Sequence, residues 1–181
     1  MRKLVVTEFM TLDGSIGAPM WSFPYWGDDI AAFKGGETSN SDTLLLGRVT
    51  YEGFAQAWAP QGDDEASGAK YFNNVEKFVV TKTLSNLEWK NSHVLQGDLE
   101  SGVKALKERD GTNITIHGSG TLAKSLLKAG LVDELRLVVY PILVGEGPTL
   151  FEPGLDAKLK LVSSTQFASG AVGLVYEKAA D

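Results

Sequence analysis

The stretch Asn113-Ile114-Thr115-Ile116-His117-Gly118-Ser119-Gly120-Thr121-Leu122-Ala123-Lys124-Ser125-Leu126-Leu127 decides the fold, because a β-branched alternation breaks at two glycines and resumes as a helical pattern. Residues 113–117 keep the two-residue period of a strand, whereas Leu122, Ala123, Leu126 and Leu127 recur at the three- and four-residue spacing of a helix. Between them, Gly118-Ser119-Gly120 lets backbone amides approach a ligand with no Cβ in the way, at the positive end of the helix dipole. The pattern, G-x-G-x-x-A, reads in two ways: as a phosphate seat, or as a plain strand-to-helix turn. It is not the ordinary Rossmann fingerprint, which sits on the first strand and needs an acidic residue roughly 20 positions on, at the end of the next strand. Here Asp133 and Glu134 arrive too early, and the motif lies late in the chain.

Two further strand ends repeat the pattern. Thr43-Leu44-Leu45-Leu46-Gly47-Arg48-Val49-Thr50-Tyr51-Glu52 is an apolar strand that breaks at Gly47 and enters a helix. Arg48 puts a guanidinium where helix amides already favour an anion; the bland counterpart is a surface arginine after a glycine. The strand Lys77-Phe78-Val79-Val80 ends in Thr81-Lys82-Thr83. Strand ends on one edge of a mostly parallel sheet converge. Three such turns offer hydroxyls, cations and free amides to a phosphorylated dinucleotide.

At 181 residues and 43% apolar content, the chain suits a single domain over residues 1–181 with one large core. A net charge of −6 and a pI near 5.0 argue against nucleic acid or a membrane surface held by a basic face. The lack of cysteine excludes disulfides, thiolate chemistry and Cys-ligated metals, and no metal site is read. The N-terminus runs straight into strand-like residues 3–9, and no apolar run reaches membrane-spanning length, so a soluble cytoplasmic protein is expected.

Strands are expected at residues 4–9, 43–46, 77–81, 93–95, 113–117, 134–140, 159–167 and 172–177, and helices at 28–34, 48–58, 99–108 and 121–129, the last capped by Gly130. This order implies an α/β sheet with helices on both faces and an antiparallel edge at the C-terminal end. Residues 60–74, polar and glycine-bearing, read as a mobile surface excursion. The apolar run at 135–144, taken to lie near a late sheet edge, suggests a homodimer.

A reaction pocket is expected where Leu12-Asp13-Gly14 leads through Trp21, Phe23, Pro24 and Trp26 to a helix carrying Asp28 and Asp29 ahead of Phe33. An acid among aromatics is partly desolvated, which raises its pKa and suits it to protonate a ring nitrogen; equally, Asp in a first helical turn is favoured by the dipole alone.

Ile16-Gly17, Trp21, Pro24, Asp29-Ile30-Ala31-Ala32-Phe33-Lys34, Gly47-Arg48-Val49-Thr50-Tyr51-Glu52 and Gly118-Ser119-Gly120 together resemble the dihydrofolate reductase superfamily. Leu12-Asp13-Gly14, Val132-Asp133-Glu134-Leu135 and Pro141-Ile142-Leu143-Val144-Gly145-Glu146-Gly147 are more similar to the branch containing the reductase domain of riboflavin biosynthesis, the C-terminal domain of the bifunctional deaminase-reductase. The resemblance implies a three-layer α/β/α fold with a mostly parallel central sheet, and NADPH-dependent reduction of a small heterocyclic or imine-type substrate. On it, Gly47, Arg48, Val49 and Thr50 hold NADPH, Thr81 and Lys82 lie near its 2′-phosphate, and Gly118, Ser119, Gly120, Thr121 and Leu122 wrap the pyrophosphate. Asp29 matches the acid of dihydrofolate reductase, and Asp13, Trp26, Phe33 and His117 line the substrate pocket, His117 being either a polar contact or a packed strand-end histidine. Two departures bear on the substrate. No arginine occurs between Arg48 and Arg109, which leaves only lysines such as Lys70 and Lys77 for a folate tail, and His117-Gly118-Ser119 replaces the Glu-Gly-Gly of the riboflavin-pathway reductase. Dihydrofolate reductase itself and a non-catalytic NADP(H)-binding module are the alternative readings.

Overall fold

A computed structural model describes residues 1–179. Its centre is an eight-stranded sheet in the order β4-β3-β2-β5-β1-β6-β8-β7. The strands are β1 (Leu4–Thr11), β2 (Ser41–Gly47), β3 (Glu76–Val80), β4 (Ser92–Val94), β5 (Asn113–His117), β6 (Glu134–Tyr140), β7 (Leu159–Gln166) and β8 (Val172–Lys178). The first six pair in parallel, and β8 and β7 add antiparallel, as the sequence pattern implies.

Helices α1 (Asp28–Thr38), α2 (Arg48–Trp58), α3 (Ala69–Asn74), α4 (Leu99–Glu108) and α5 (Gly120–Lys128) cover the two faces. Alternation along the strands divides the core. Leu4, Val6, Leu45, Ile114 and Ile116 point to the face under α4 and α5. On the opposite face, Leu44, Leu46 and Val79 pack with Tyr51 and Phe54 of α2 and Phe72 of α3, while Ile30 and Phe33 of α1 pack with Val138, Tyr140 and Phe167. The connections out of β1 and β5 leave to opposite faces, so the junction of these paired strands is the topological switch point where α/β sheets bind ligands.

Three expectations are corrected. Residues 60–67 lie exposed, as a surface excursion does, but residues 69–74 form α3, anchored by buried Asn73, whose amide donates to the carbonyl of Trp58 (2.9 Å) and accepts from the indole of Trp89 (2.7 Å). Lys77 is fully buried on β3, donating to the carbonyl of Val75 (2.7 Å) over the Trp89 ring (4.4 Å), while Lys70 pairs with Glu65. Neither stands free for an anion. Last, β6 is an interior strand between β1 and β8, so residues 135–140 belong to the sheet interior and not to an edge, while Leu143 beyond the strand is exposed. The exposed edge is β7, where Leu159, Leu161 and Val162 are 38–54% exposed.

Candidate functional site

Two helix N-termini open onto one cleft at the carboxyl ends of the strands. It has a volume of about 480 Å³ and is lined by Gly47, Arg48, Val49, Thr50, Val80, Leu99, Ser119, Gly120, Thr121, Leu122 and Ser125. The first amides of α2 and α5 have no partner within their helices and carry the positive ends of both dipoles into this space. Gly118 (φ 62°) and Ser119 (φ 60°) are consecutive left-handed residues. For glycine this is free, but for serine it is strained, and the serine has a use: its hydroxyl accepts the Gly47 N–H (3.0 Å), joining the two turns. A Cβ on Gly120 would come within 2.2 Å of Ile16 Cδ1, so the second glycine makes room for a side chain packed against the core. Arg48 is half-exposed and held by Glu52 one turn on (2.9 Å).

The structure therefore brings Gly47 to Thr50 together with Ser119 to Leu122, and Gly118 lies against them, its missing Cβ 3.7 Å from Thr50 Cγ2. Thr81 and Lys82 lie one and two residues beyond the lining Val80. The Thr81 hydroxyl accepts from the Thr83 and Leu84 amides (3.1 Å each), and Lys82 is exposed. Backbone turns, a guanidinium and about 480 Å³ fit a phosphorylated dinucleotide.

The expected reaction pocket is rearranged. Asp29 is exposed. Its carboxylate accepts from the Ala168 amide (2.7 Å) and the Ile30 amide (2.8 Å), and these bonds, Ala168 first, hold its pKa below the usual carboxylate value. The desolvated, raised acid expected from the aromatics is thus corrected: Trp21 and Tyr25 stack edge-on against Tyr140 instead, and Asp29 ties α1 to the β7–β8 turn. Asp13 is likewise a clasp, accepting from the Thr11 hydroxyl (2.5 Å) and the Gly145 amide (2.7 Å), with its pKa lowered by those bonds. Phe33 packs on Phe167 (5.6 Å) in the core, and Trp26, 49% exposed, meets Phe9 edge-on (6.1 Å). His117 is buried against Phe72 (5.5 Å); burial, with the Lys34 charge added, holds its pKa well below 6.5, so the ring is neutral.

Sequence reasoning missed a polar seam at the switch point. Thr7 and His117 are partners across β1 and β5. Over them Lys34 donates to the Thr7 hydroxyl (2.6 Å) and to Glu37 (2.5 Å) and lies 5.2 Å from the Phe9 ring centre. Glu37 Oε1 and His117 Nε2 are buried without hydrogen-bond partners, each at a cost of about 1–3 kcal/mol. On the other face of β1 the buried Glu8 also has an unpartnered oxygen, and burial, partly opposed by Lys34, lifts its carboxyl to about 8, which keeps it protonated at neutral pH. A signal was present: the inward-facing stripe of α1 runs Ile30, Phe33, Lys34, Glu37, at i, i+3, i+4 and i+7, and turns polar halfway.

These features define a class: a three-layer α/β/α domain of dihydrofolate-reductase type with a cleft between two helix N-termini at its strand ends. Within that class the chain belongs to the family of the RibD C-terminal domain, which matches residues 2–172. Among its relatives, the uncharacterized protein YyaP of Bacillus subtilis (strain 168) is 29% identical over 182 residues, covering 97% of this chain and 94% of the relative. A protein from Shewanella sp. PV-4, assigned provisionally to riboflavin biosynthesis, shares the fold at a TM-score of 0.73 and 19% identity, over 98% of this chain and 99% of its own. The diaminohydroxyphosphoribosylaminopyrimidine deaminase/5-amino-6-(5-phosphoribosylamino)uracil reductase of Thermotoga maritima does so at 0.65 and 16%, over 98% of this chain and 57% of its own. Among the described residues no helix is long and apolar enough to cross a membrane.

Proposed function

We propose that the protein is an NADPH-dependent reductase of a small heterocyclic or imine-type substrate, similar to the uracil-type reductases of riboflavin biosynthesis. The convergence of the Gly47–Arg48 and Gly118–Ser119 turns on one cleft carries this reading, supported by membership of a family named for the riboflavin-pathway protein RibD. Bound NADPH would supply the hydride. The chain's part is to seat phosphates on the first turns of α2 and α5 and to present Arg48 to the added 2′-phosphate. Calorimetry with NADPH and NADH tests it: a charge-assisted contact is worth about 1.5–3 kcal/mol, so tenfold or greater preference for NADPH is expected, and equal affinities would remove the assignment.

The folate alternative lacks an anion partner of the required kind, because Lys77 is buried and Lys70 is engaged by Glu65. Dihydrofolate is therefore expected to turn over no better than tail-less pterins.

Self-association belongs to β7. Its apolar residues extend the face of Leu174 and Tyr176, and Lys160 is paired with Glu177 (3.0 Å), so that edge carries no unpaired Lys160 charge to oppose a second copy. A dimer is the expected occupant, and light scattering on the wild type and Leu161→Glu reads it.

A further inference from the structure

From the ion pair at the start of α2 we infer that Glu52 is a positioning residue of the cleft, which competes with a phosphate for the Arg48 guanidinium and so tempers the preference for a 2′-phosphorylated cofactor. The inference rests on the reductase reading and names a specificity determinant within it. The long helices treat their N-termini in two ways. α1 opens with Asp28 and Asp29, and α4 has Asp98 accepting the Ser101 amide (2.9 Å) with Glu100 in its first turn, so carboxylates meet both dipoles. α2 and α5, whose first turns line the cleft, have no acid in that turn and no side-chain cap. α2 begins instead with a cation, Arg48, where the dipole opposes it. Its counter-charge comes one turn later: Arg48 Nη1 donates to Glu52 Oε2 at 2.9 Å, which ties the guanidinium to the second turn. A cation four residues ahead of its acid is the less favourable order for a helix pair, so helix stability does not account for the arrangement.

The chemistry of the pair fixes the sign of its effect. The two side chains are 46% and 40% exposed, and an ion pair so open to water is weak. A dianionic phosphomonoester offers Arg48 a bidentate, charge-assisted contact beside free helix amides, and it displaces or shares the guanidinium. The Glu52 carboxylate does not leave with the exchange. It stays on the same helix face and repels the phosphate that Arg48 attracts. A ribose 2′-hydroxyl carries no charge, so it feels little of either. Arg48 and Glu52 therefore act on one discrimination, phosphate against hydroxyl, in opposite directions, and the second acts through the first.

The test is calorimetry at low salt on the wild type, Glu52→Gln, Arg48→Ala and the double variant, with adenosine 2′,5′-bisphosphate and 5′-AMP as probes and NADPH and NADH as the full cofactors. Glu52→Gln is expected to tighten the bisphosphate and NADPH about two- to fivefold, the scale of an exposed ion pair, and to leave 5′-AMP and NADH unchanged. Raising the salt to about 1 M, where charges are screened beyond about 3 Å, should erase the gain. In the Arg48→Ala background the same substitution should change the bisphosphate little, because the carboxylate then has no guanidinium to withhold. A role in helix stability alone would move the melting temperature and none of these ratios. Weaker bisphosphate binding by Glu52→Gln would make Glu52 an aid to the phosphate and overturn the inference. So would an equal gain for 5′-AMP, or an undiminished gain without Arg48. A protein that follows the expected pattern with the bisphosphate but does not bind NADPH keeps the Glu52 role and loses the reductase reading.

Discussion

The cleft and the seam lie one residue apart, at Gly118 and His117, and solve the problem of polarity in opposite ways. In the cleft, polar groups are backbone amides, hydroxyls such as those of Thr50 and Thr121, and a half-exposed Arg48, which water satisfies whenever a ligand is absent. In the seam, Lys34, Glu37 and His117 are side chains withdrawn from water, and two of their atoms stay unpartnered. An open anion seat costs the fold little; a buried polar seam must be held in place by everything around it.

The largest expected effect breaks the seam. Replacing Glu37 with Leu leaves the Lys34 ammonium buried and uncompensated, and stability to urea should fall by about 3–5 kcal/mol. The Lys34→Met, Glu37→Leu pair should recover most of that, being apolar throughout. A single replacement no worse than a surface substitution would place the seam in water and erase the contrast.

Next in size is the pH response of Glu8. Its carboxyl titrates near 8 when folded against 4.5 ordinarily, so between those values the folded protein keeps a proton that the unfolded chain has released. Stability should therefore decline as pH rises through this window, by an amount on the order of a few kcal/mol. Glu8→Gln should flatten the melting-temperature profile; an unchanged slope would show that another group dominates. Lys77, lowered to about 8 from 10.5 by burial and by Lys90, works with the opposite sign, adding stability as pH climbs from 8 towards 10.5.

On the cleft side Arg48→Ala should cost about tenfold in NADPH affinity and little for NADH, with thermal stability nearly unchanged, because the side chain is half in solvent. The smallest effect concerns Asp29. If the carboxylate is a clasp to Ala168, Asp29→Asn lowers the melting temperature slightly and leaves turnover intact; lost turnover at normal stability would restore it as an acid.

Sheet order class, the antiparallel edge and all four long helices were legible because their period is written in the positions of apolar residues. The cleft was legible for a related reason: glycine at a strand end leaves few local alternatives. The seam was not, because a lysine and a glutamate three apart on a helix read as an ordinary solvated pair, and only the depth of α1 over β1 buries them. Asp29 misled for the converse reason: its aromatic neighbours in sequence turn to Tyr140 in space. Nor could sequence tell that β6 lies inside the sheet, since an interior strand and an apolar edge carry the same pattern.

The hydrogen bond from Gly47 to the Ser119 hydroxyl makes the two jaws of the cleft a single mechanical part. With their separation fixed by the fold, a ligand meets a gap already set to width and loses less disorder in closing it. Ser119→Gly would relax a strained residue while uncoupling the jaws, so a sturdier protein with a slacker grip is the expected outcome.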